Sequence, residues 1–264
     1  MARELTFTRS IEPIQRSQAE ERFKSMLDRI TPTHRPEGRA NGTQSWRSLL
    51  FMHWPVPVDV MRRLVPEPLE LDLWEGTAYI GVVPFKMQRV RPKWLPPAFA
   101  FEFLEANVRT YVYHGNQPGV YFFSLEAASA LAVWCARQFW GLPYYYARMN
   151  THEENEIIQY ESVRRHSGAK HKVRYRIGEK LGPTQPETLE FFFLERYVLF
   201  VERQRQLLAG RVYHQPYPAH LAEVLSIEDE LMLASGFEYT NELPHFAHYS
   251  PGVDVETFDL QPVS

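Results

Sequence analysis

The sequence predicts a mainly β protein, a closed or nearly closed antiparallel barrel with a few helices packed outside it. Three observations carry this. About ten segments read as strands, turn residues recur roughly every 8–14 residues, and few stretches have helical periodicity. No internal period of roughly 20–50 residues recurs, which excludes a solenoid or a propeller.

Taken in order, residues 1–16 are polar and patternless. Ser17-Gln18-Ala19-Glu20 is a capping-box pattern, predicting a helix to Arg29 with Ala19, Phe23, Met26 and Ile30 near one stripe. Pro32, Pro36, Gly38 and Gly42 make Thr31 to Thr43 a linker. The chain thus divides into an N-terminal helical arm and linker, 1–44, and a barrel domain, 45–264. Ser48 to Trp54 reads as a buried strand, and Pro57 opens a short helix, Val58 to Leu64, because proline suits a first turn. Strands follow at Leu69 to Leu73 and Thr77 to Met87, around the turn Trp74-Glu75-Gly76. Phe101 to Tyr113 alternates over a long span and places Phe103, Glu105, Asn107, Arg109 and Tyr111 on one face. Val120 to Leu125 returns from a Gly- and Pro-containing loop.

An apolar helix, Ala127 to Trp140, is stopped by Gly141-Leu142-Pro143. Tyr144 to Asn150 then opens a strand, with Tyr144 and Tyr146 on one face and Tyr145 on the other. Ile157 to Arg164, Lys172 to Ile177, Tyr197 to Glu202 and Leu207 to His214 are further strands, while local propensity leaves Thr188 to Leu194 undecided between helix and strand. Ser226-Ile227-Glu228-Asp229 repeats the capping-box pattern and predicts a helix closed by Gly236. Val253 to Phe258 reads as an edge strand.

Composition narrows the function. A net charge of -3 over 264 residues offers no basic face for nucleic acid. The single cysteine, Cys135, excludes a disulfide framework and fits a reducing, cytoplasmic setting. No apolar run approaches the roughly 18 residues of a membrane span, and no signal-peptide pattern opens the chain. Histidine, cysteine and carboxylate spacing gives no reason to place a metal, and no phosphate-cradling or dinucleotide motif implies a cofactor.

The segment Trp140 to Ala147, WGLPYYYA, resembles the W-G-F-P-K-K segment of acetoacetate decarboxylases. LLFMHWPVPVDVMRRLVPEPLELD, GVVPFKM, EANVRTYV, PGVYFFSLEA and VYHQPYP, together with it, resemble the YqjF-like bacterial proteins of the acetoacetate decarboxylase-like superfamily, over roughly Trp46 to Phe258. The resemblance implies a barrel with an interior pocket and no agreed activity. In the decarboxylases the first lysine of the motif forms a Schiff base with the keto acid. Tyr144 and Tyr145 stand at the two lysine positions, so the resemblance implies a frame without that nucleophile.

The candidate site follows from the alternating strand and this motif. Glu105 is a candidate acid or base, Arg109 a candidate carboxylate anchor, and Tyr144 or Tyr145 a candidate proton donor. Glu105 and Arg109 read first as a structural ion network, because a buried charge requires a partner. Tyr146 and His53, beside Trp54 at a strand end, are candidate ligand contacts; His53 also reads as a satisfied core histidine. Three classes fit these residues. One is a lyase or isomerase acting on a small oxo acid, a second is a binder of a small carboxylic acid, and a third is a structural, oligomer-forming protein.

Overall fold

The structure, a computed structural model, describes residues 27–238 and 242–263. The helix expected over Ser17 to Arg29 lies outside the described residues except for its last three, which are not helical. The strands are β1 (Gly42–Val56), β2 (Glu70–Leu71), β3 (Ala78–Pro92), β4 (Phe101–His114), β5 (Gln117–Ala127), β6 (Tyr144–Glu154), β7 (Ile157–Arg164), β8 (Lys170–Pro183), β9 (Val198–Arg203), β10 (Gln206–Tyr213), β11 (Pro218–Asp229), β12 (Phe246–Thr257) and β13 (Gln261–Pro262). The helices are α1 (Val58–Leu64), α2 (Ala130–Cys135), α3 (Leu189–Leu194) and α4 (Leu231–Ala234).

All the strands join one sheet in the order β13-β10-β9-β5-β6-β7-β8-β11-β12-β1-β3-β4-β2. Pairing of β4 with β5, and of Val212 and Tyr213 in β10 with Thr257 and Glu256 in β12, folds the sheet back on itself into a nearly closed barrel. Strands β1, β3 and β4 are therefore buried on both faces. Leu50, Met52, Val82, Ala106 and Val108 pack into one apolar cluster with Ile158, Val173 and Ile227 of the outer strands. The alternate residues Leu49, Phe51, Val83, Phe85 and Tyr111 join a second cluster with Phe192, Phe193 and Val212, inside the barrel. This two-sided burial is why SLLFMHW reads as a continuous apolar run.

Three elements differ from the sequence reading and a fourth, left open there, is decided. The second capping-box pattern lies at the end of strand β11, not at a helix start. β8 supplies a strand edge on which Ile227 pairs with Val173, and Ile227 is buried. Asp229 closes the strand and caps α4, accepting from Met232 N at 2.9 Å. The expected edge strand is the interior strand β12, paired with β1 along Phe246 to Thr257. The undecided segment is helix α3, whose Thr188 hydroxyl accepts from Phe191 N at 3.2 Å and whose Phe191 to Leu194 are all buried. The long helix is broken: β5 runs on to Ala127, Ser129 caps α2, and Ala136–Trp140 is a π-helical turn ended by Gly141 at φ 68°. A positive φ there suits glycine, as the helix-stop reading required.

The linker lies on the barrel. Arg29 pairs with buried Asp72, and Arg35 bonds to Glu256 at 2.5 Å. Asn41 bonds to Asp259 at 2.7 Å, and the Arg211 guanidinium donates to Pro32 O at 3.2 Å.

Candidate functional site

A cavity of about 600 Å³ opens inside the barrel, walled by β1, β3, β4, β5, β9, β10 and the α2–π turn. Alternation along β4 sends Phe101, Phe103, Glu105, Asn107 and Arg109 into it, as the sequence pattern requires. The turn Ala136–Trp140 supplies Ala136, Phe139 and Trp140 to the wall, next to Cys135, and Phe139 is 63% exposed. Most of the remaining wall is apolar, including Trp46, Phe51, Phe85, Phe122 and Leu125.

The polar groups of this wall are few and unevenly satisfied. Tyr144 donates its hydroxyl to Glu105 Oε2 at 2.8 Å. Tyr160 donates to the Glu105 carbonyl oxygen, also at 2.8 Å, and fixes the backbone there. Burial raises the Glu105 carboxyl to about 8; nearby Glu126 adds to the rise and the Tyr144 hydrogen bond opposes it. Burial and the Glu105 charge hold the Tyr144 phenol well above its usual range, so it remains a donor.

Arg109 is 8% exposed and donates from Nη2 to the Phe193 carbonyl at 2.9 Å. Its guanidinium lies over the Phe51 and Tyr111 rings at 5.4 and 5.7 Å. Among the described residues no carboxylate pairs with it, and its Nε has no hydrogen-bond partner. Asn107 Oδ1, on the same wall, is likewise without a partner. The other buried arginines differ: Arg164 pairs with Glu126, and Arg196 pairs with Asp72 at 2.7 Å.

Of the expected residues, Glu105, Arg109 and Tyr144 line the cavity, with Tyr144 bonded to Glu105 and Arg109 four residues further along β4. The structure does not bring His53, Tyr145 or Tyr146 to the cavity wall. His53 is fully buried behind it, stacked on Phe193 at 3.8 Å and bonded through Nε2 to Tyr111 Oη at 2.6 Å. Burial first, and then the Arg109 charge, lower its pKa well below the usual histidine range. Tyr145 is held between the Arg164 and Arg137 guanidinium groups, 3.9 and 5.3 Å from its ring. It lines a separate depression of about 300 Å³ with Tyr146, Arg165 and His166. Tyr146 is half-buried and packs beside Tyr144 against Leu125 and Ala127, short of the cavity wall.

Among the wall residues not singled out from sequence are Asn107, Arg196 and Tyr217. Asn107 was legible, being on the alternating face between Glu105 and Arg109. Arg196 and Tyr217 come from loops flanking β9 and β11, and no local pattern marks them. Among the described residues no lysine lines the cavity, and no three His, Cys, Asp or Glu side chains cluster as metal ligands. No helix among them is long and apolar enough to cross a membrane.

The nearly closed β barrel with its interior cavity has the acetoacetate decarboxylase-like fold. An acetoacetate decarboxylase from Legionella pneumophila is similar with a TM-score of 0.57 at 13% identity, over 89% of this chain and 94% of that one. The enduracididine biosynthesis enzyme MppR complexed with pyruvate is similar with a TM-score of 0.56 at 13% identity, over 86% and 92%. At these identities the likeness is one of fold. The chain belongs to the DUF2071 family, described as "Uncharacterized conserved protein", which matches residues 43–254. Uncharacterized protein YqjF of Bacillus subtilis (strain 168) is 36% identical over 229 residues, 86% of this chain and 94% of that protein.

Proposed function

We propose that the barrel cavity binds a small organic acid and acts on it as a lyase- or isomerase-type enzyme that uses no Schiff base. The observation that carries this is the Arg109 guanidinium. It is buried in the cavity wall, has no carboxylate partner among the described residues, and leaves Nε unbonded. An uncompensated buried charge costs several kcal/mol, and a ligand carboxylate supplies the missing partner with bidentate geometry. Glu105, held largely protonated at neutral pH, serves as the proton donor, and Tyr144 orients it. Pyruvate bound by a protein of the same fold supports an acid as the ligand class.

A thermal melt with a panel of keto and hydroxy acids tests the reading. Wild type is expected to gain several degrees with at least one acid. Arg109→Met is expected to melt within a few degrees of wild type and to gain nothing, because no buried protein carboxylate is orphaned by the change. An acid that stabilises both proteins equally removes Arg109 as the anchor.

The chemistry is expected to leave every lysine untouched. Tyr144 and Tyr145 stand at the lysine positions of the resembling motif, and a phenol forms no imine. Lys86 lies on β3 between the cavity-lining residues Phe85 and Met87, on the opposite face of the strand. Borohydride treatment with acetoacetate should leave the protein mass unchanged; a lysine adduct overturns the imine-free reading. A purely binding role uses the same Arg109 contact and is separated by proton exchange: a binder adds nothing to the spontaneous exchange, in deuterated water, of the hydrogens beside the carbonyl of a keto acid long enough to reach Glu105 from Arg109. The cytoplasmic setting is proposed from the lone cysteine, Cys135.

A further inference from the structure

We infer that the acid taken by this cavity carries a long apolar body, on the order of ten carbons, with its carboxylate at the cavity floor. This rests on the reading of Arg109 as the anchor and specifies what the anchor holds. The cavity measures about 600 Å³. At about 30 Å³ per water-sized group, it has room for roughly twenty non-hydrogen atoms, and a three- or four-carbon oxo acid fills only about a third of it. Its size and mostly apolar wall match sites for larger organic ligands.

The cavity also has a direction. Phe101, at one end of its β4 wall, is half-buried and pairs with Val90 near the end of β3; Trp94, just beyond that strand, and Phe139, also on the wall, are 81% and 63% exposed. Arg109, at the other end, sits with Leu194, Arg196 and Tyr217, all buried. At about 3.3 Å per strand residue, Phe101 and Arg109 stand roughly 26 Å apart along β4, with Glu105 midway. The Arg109 guanidinium is tied to the floor by its bond to the Phe193 carbonyl, so it does not reach back toward Glu105. A carboxylate on Arg109 therefore lies well below the Glu105–Tyr144 pair. A ligand that touches both is elongated, and between them and the mouth it meets Phe85, Met87, Phe103, Phe122 and Trp140; the cation at the mouth end, Arg91, donates to the Leu95 carbonyl at 2.9 Å.

Isothermal titration with butanoate, octanoate, decanoate and dodecanoate, and with the matching 1-alkanols, tests this on wild type and on two variants. Wild-type affinity is expected to rise about fourfold per methylene through decanoate, and each acid to bind at least tenfold tighter than its alkanol. Arg109→Met should bring the acids down to the alkanols. Val90→Trp narrows the mouth and should weaken decanoate while sparing butanoate; Ala132→Phe is the substitute if Val90→Trp does not fold. Butanoate binding with no gain for longer acids overturns the long-ligand inference and leaves the Arg109 anchor standing. A chain-length gain shared by acids and alkanols, and untouched by Arg109→Met, overturns the anchor and this inference with it. No binding by any acid also overturns both.

Discussion

Glu105→Gln is expected to make the protein more stable than wild type at alkaline pH. The Glu105 carboxyl is raised to about 8 in the folded protein by burial inside the barrel, against 4.5 for an unburied glutamate. Between these values the folded state binds more protons than the unfolded state, so stability falls as pH rises from about 4.5 to about 8. Below that window the carboxyl is protonated in both states and the two proteins should melt together. Above it wild type bears the full cost of a buried carboxylate, on the order of 5 kcal/mol from the displacement of its pKa, and glutamine bears none. Glutamine still accepts the Tyr144 hydroxyl, so the gain is not offset by a lost bond. Urea unfolding of both proteins at pH 4, 7 and 9 measures the difference. Superimposable curves at pH 9 would mean that water or a cation reaches Glu105 and that it is no proton donor at neutral pH. The same variant should lose any turnover found with an acid, because an amide gives up no proton at these pH values.

Asp72→Asn is expected to destabilise the fold by about 3–5 kcal/mol, the usual cost of leaving one partner of a buried pair charged and alone. Asp72 is 2% exposed and receives Arg196 at 2.7 Å from one side and Arg29 from the other. Arg196 is fixed between the Phe192 and Tyr111 rings and donates Nε to the Phe192 carbonyl at 2.7 Å, so it cannot swing out to water. At roughly 2–4 °C per kcal/mol for a domain of this size, the melting temperature should fall by about 10 °C. Arg29→Ala should cost only about 1 kcal/mol, since its side chain is 24% exposed and Arg196 still neutralises Asp72. A small effect of Asp72→Asn with a large effect of Arg29→Ala would reverse this order and make the N-terminal linker the principal partner. Arg196 also lines the cavity, so the Asp72 variant is expected to weaken acid binding in whatever protein remains folded.

Much of the barrel was legible because its strands obey a local rule. Phe101 to Tyr113 alternates, and Glu105, Asn107 and Arg109 do line one cavity. Pro57 opened α1, and Gly141 ended the helical segment at a positive φ. The errors fell where a distant strand overruled a local signal. Ser226-Ile227-Glu228-Asp229 has the spacing of a helix start, yet β8 held it extended. Val253 to Phe258 reads as a terminal edge, yet β1, more than 200 positions earlier, made it interior.

For the site, the sequence by itself determined the inventory and the face. It placed an acid, an amide and a guanidinium at two-residue intervals, and it put tyrosines where the resembling motif has lysines. The pairings were decided only by tertiary structure. Arg109 could have met Glu105 and formed a structural ion pair; instead it donates to the Phe193 carbonyl, 84 residues away, and Glu105 takes Tyr144, 39 residues away. Of three adjacent tyrosines only Tyr144 lines the cavity: Tyr145 lies against the Arg164 and Arg137 guanidinium groups, and Tyr146 packs half-buried beside Leu125 and Ala127. A strand's alternation is set by its own backbone geometry, which every residue carries with it. The partner of a buried charge is set by which other strand arrives across the barrel, and no window of sequence contains both.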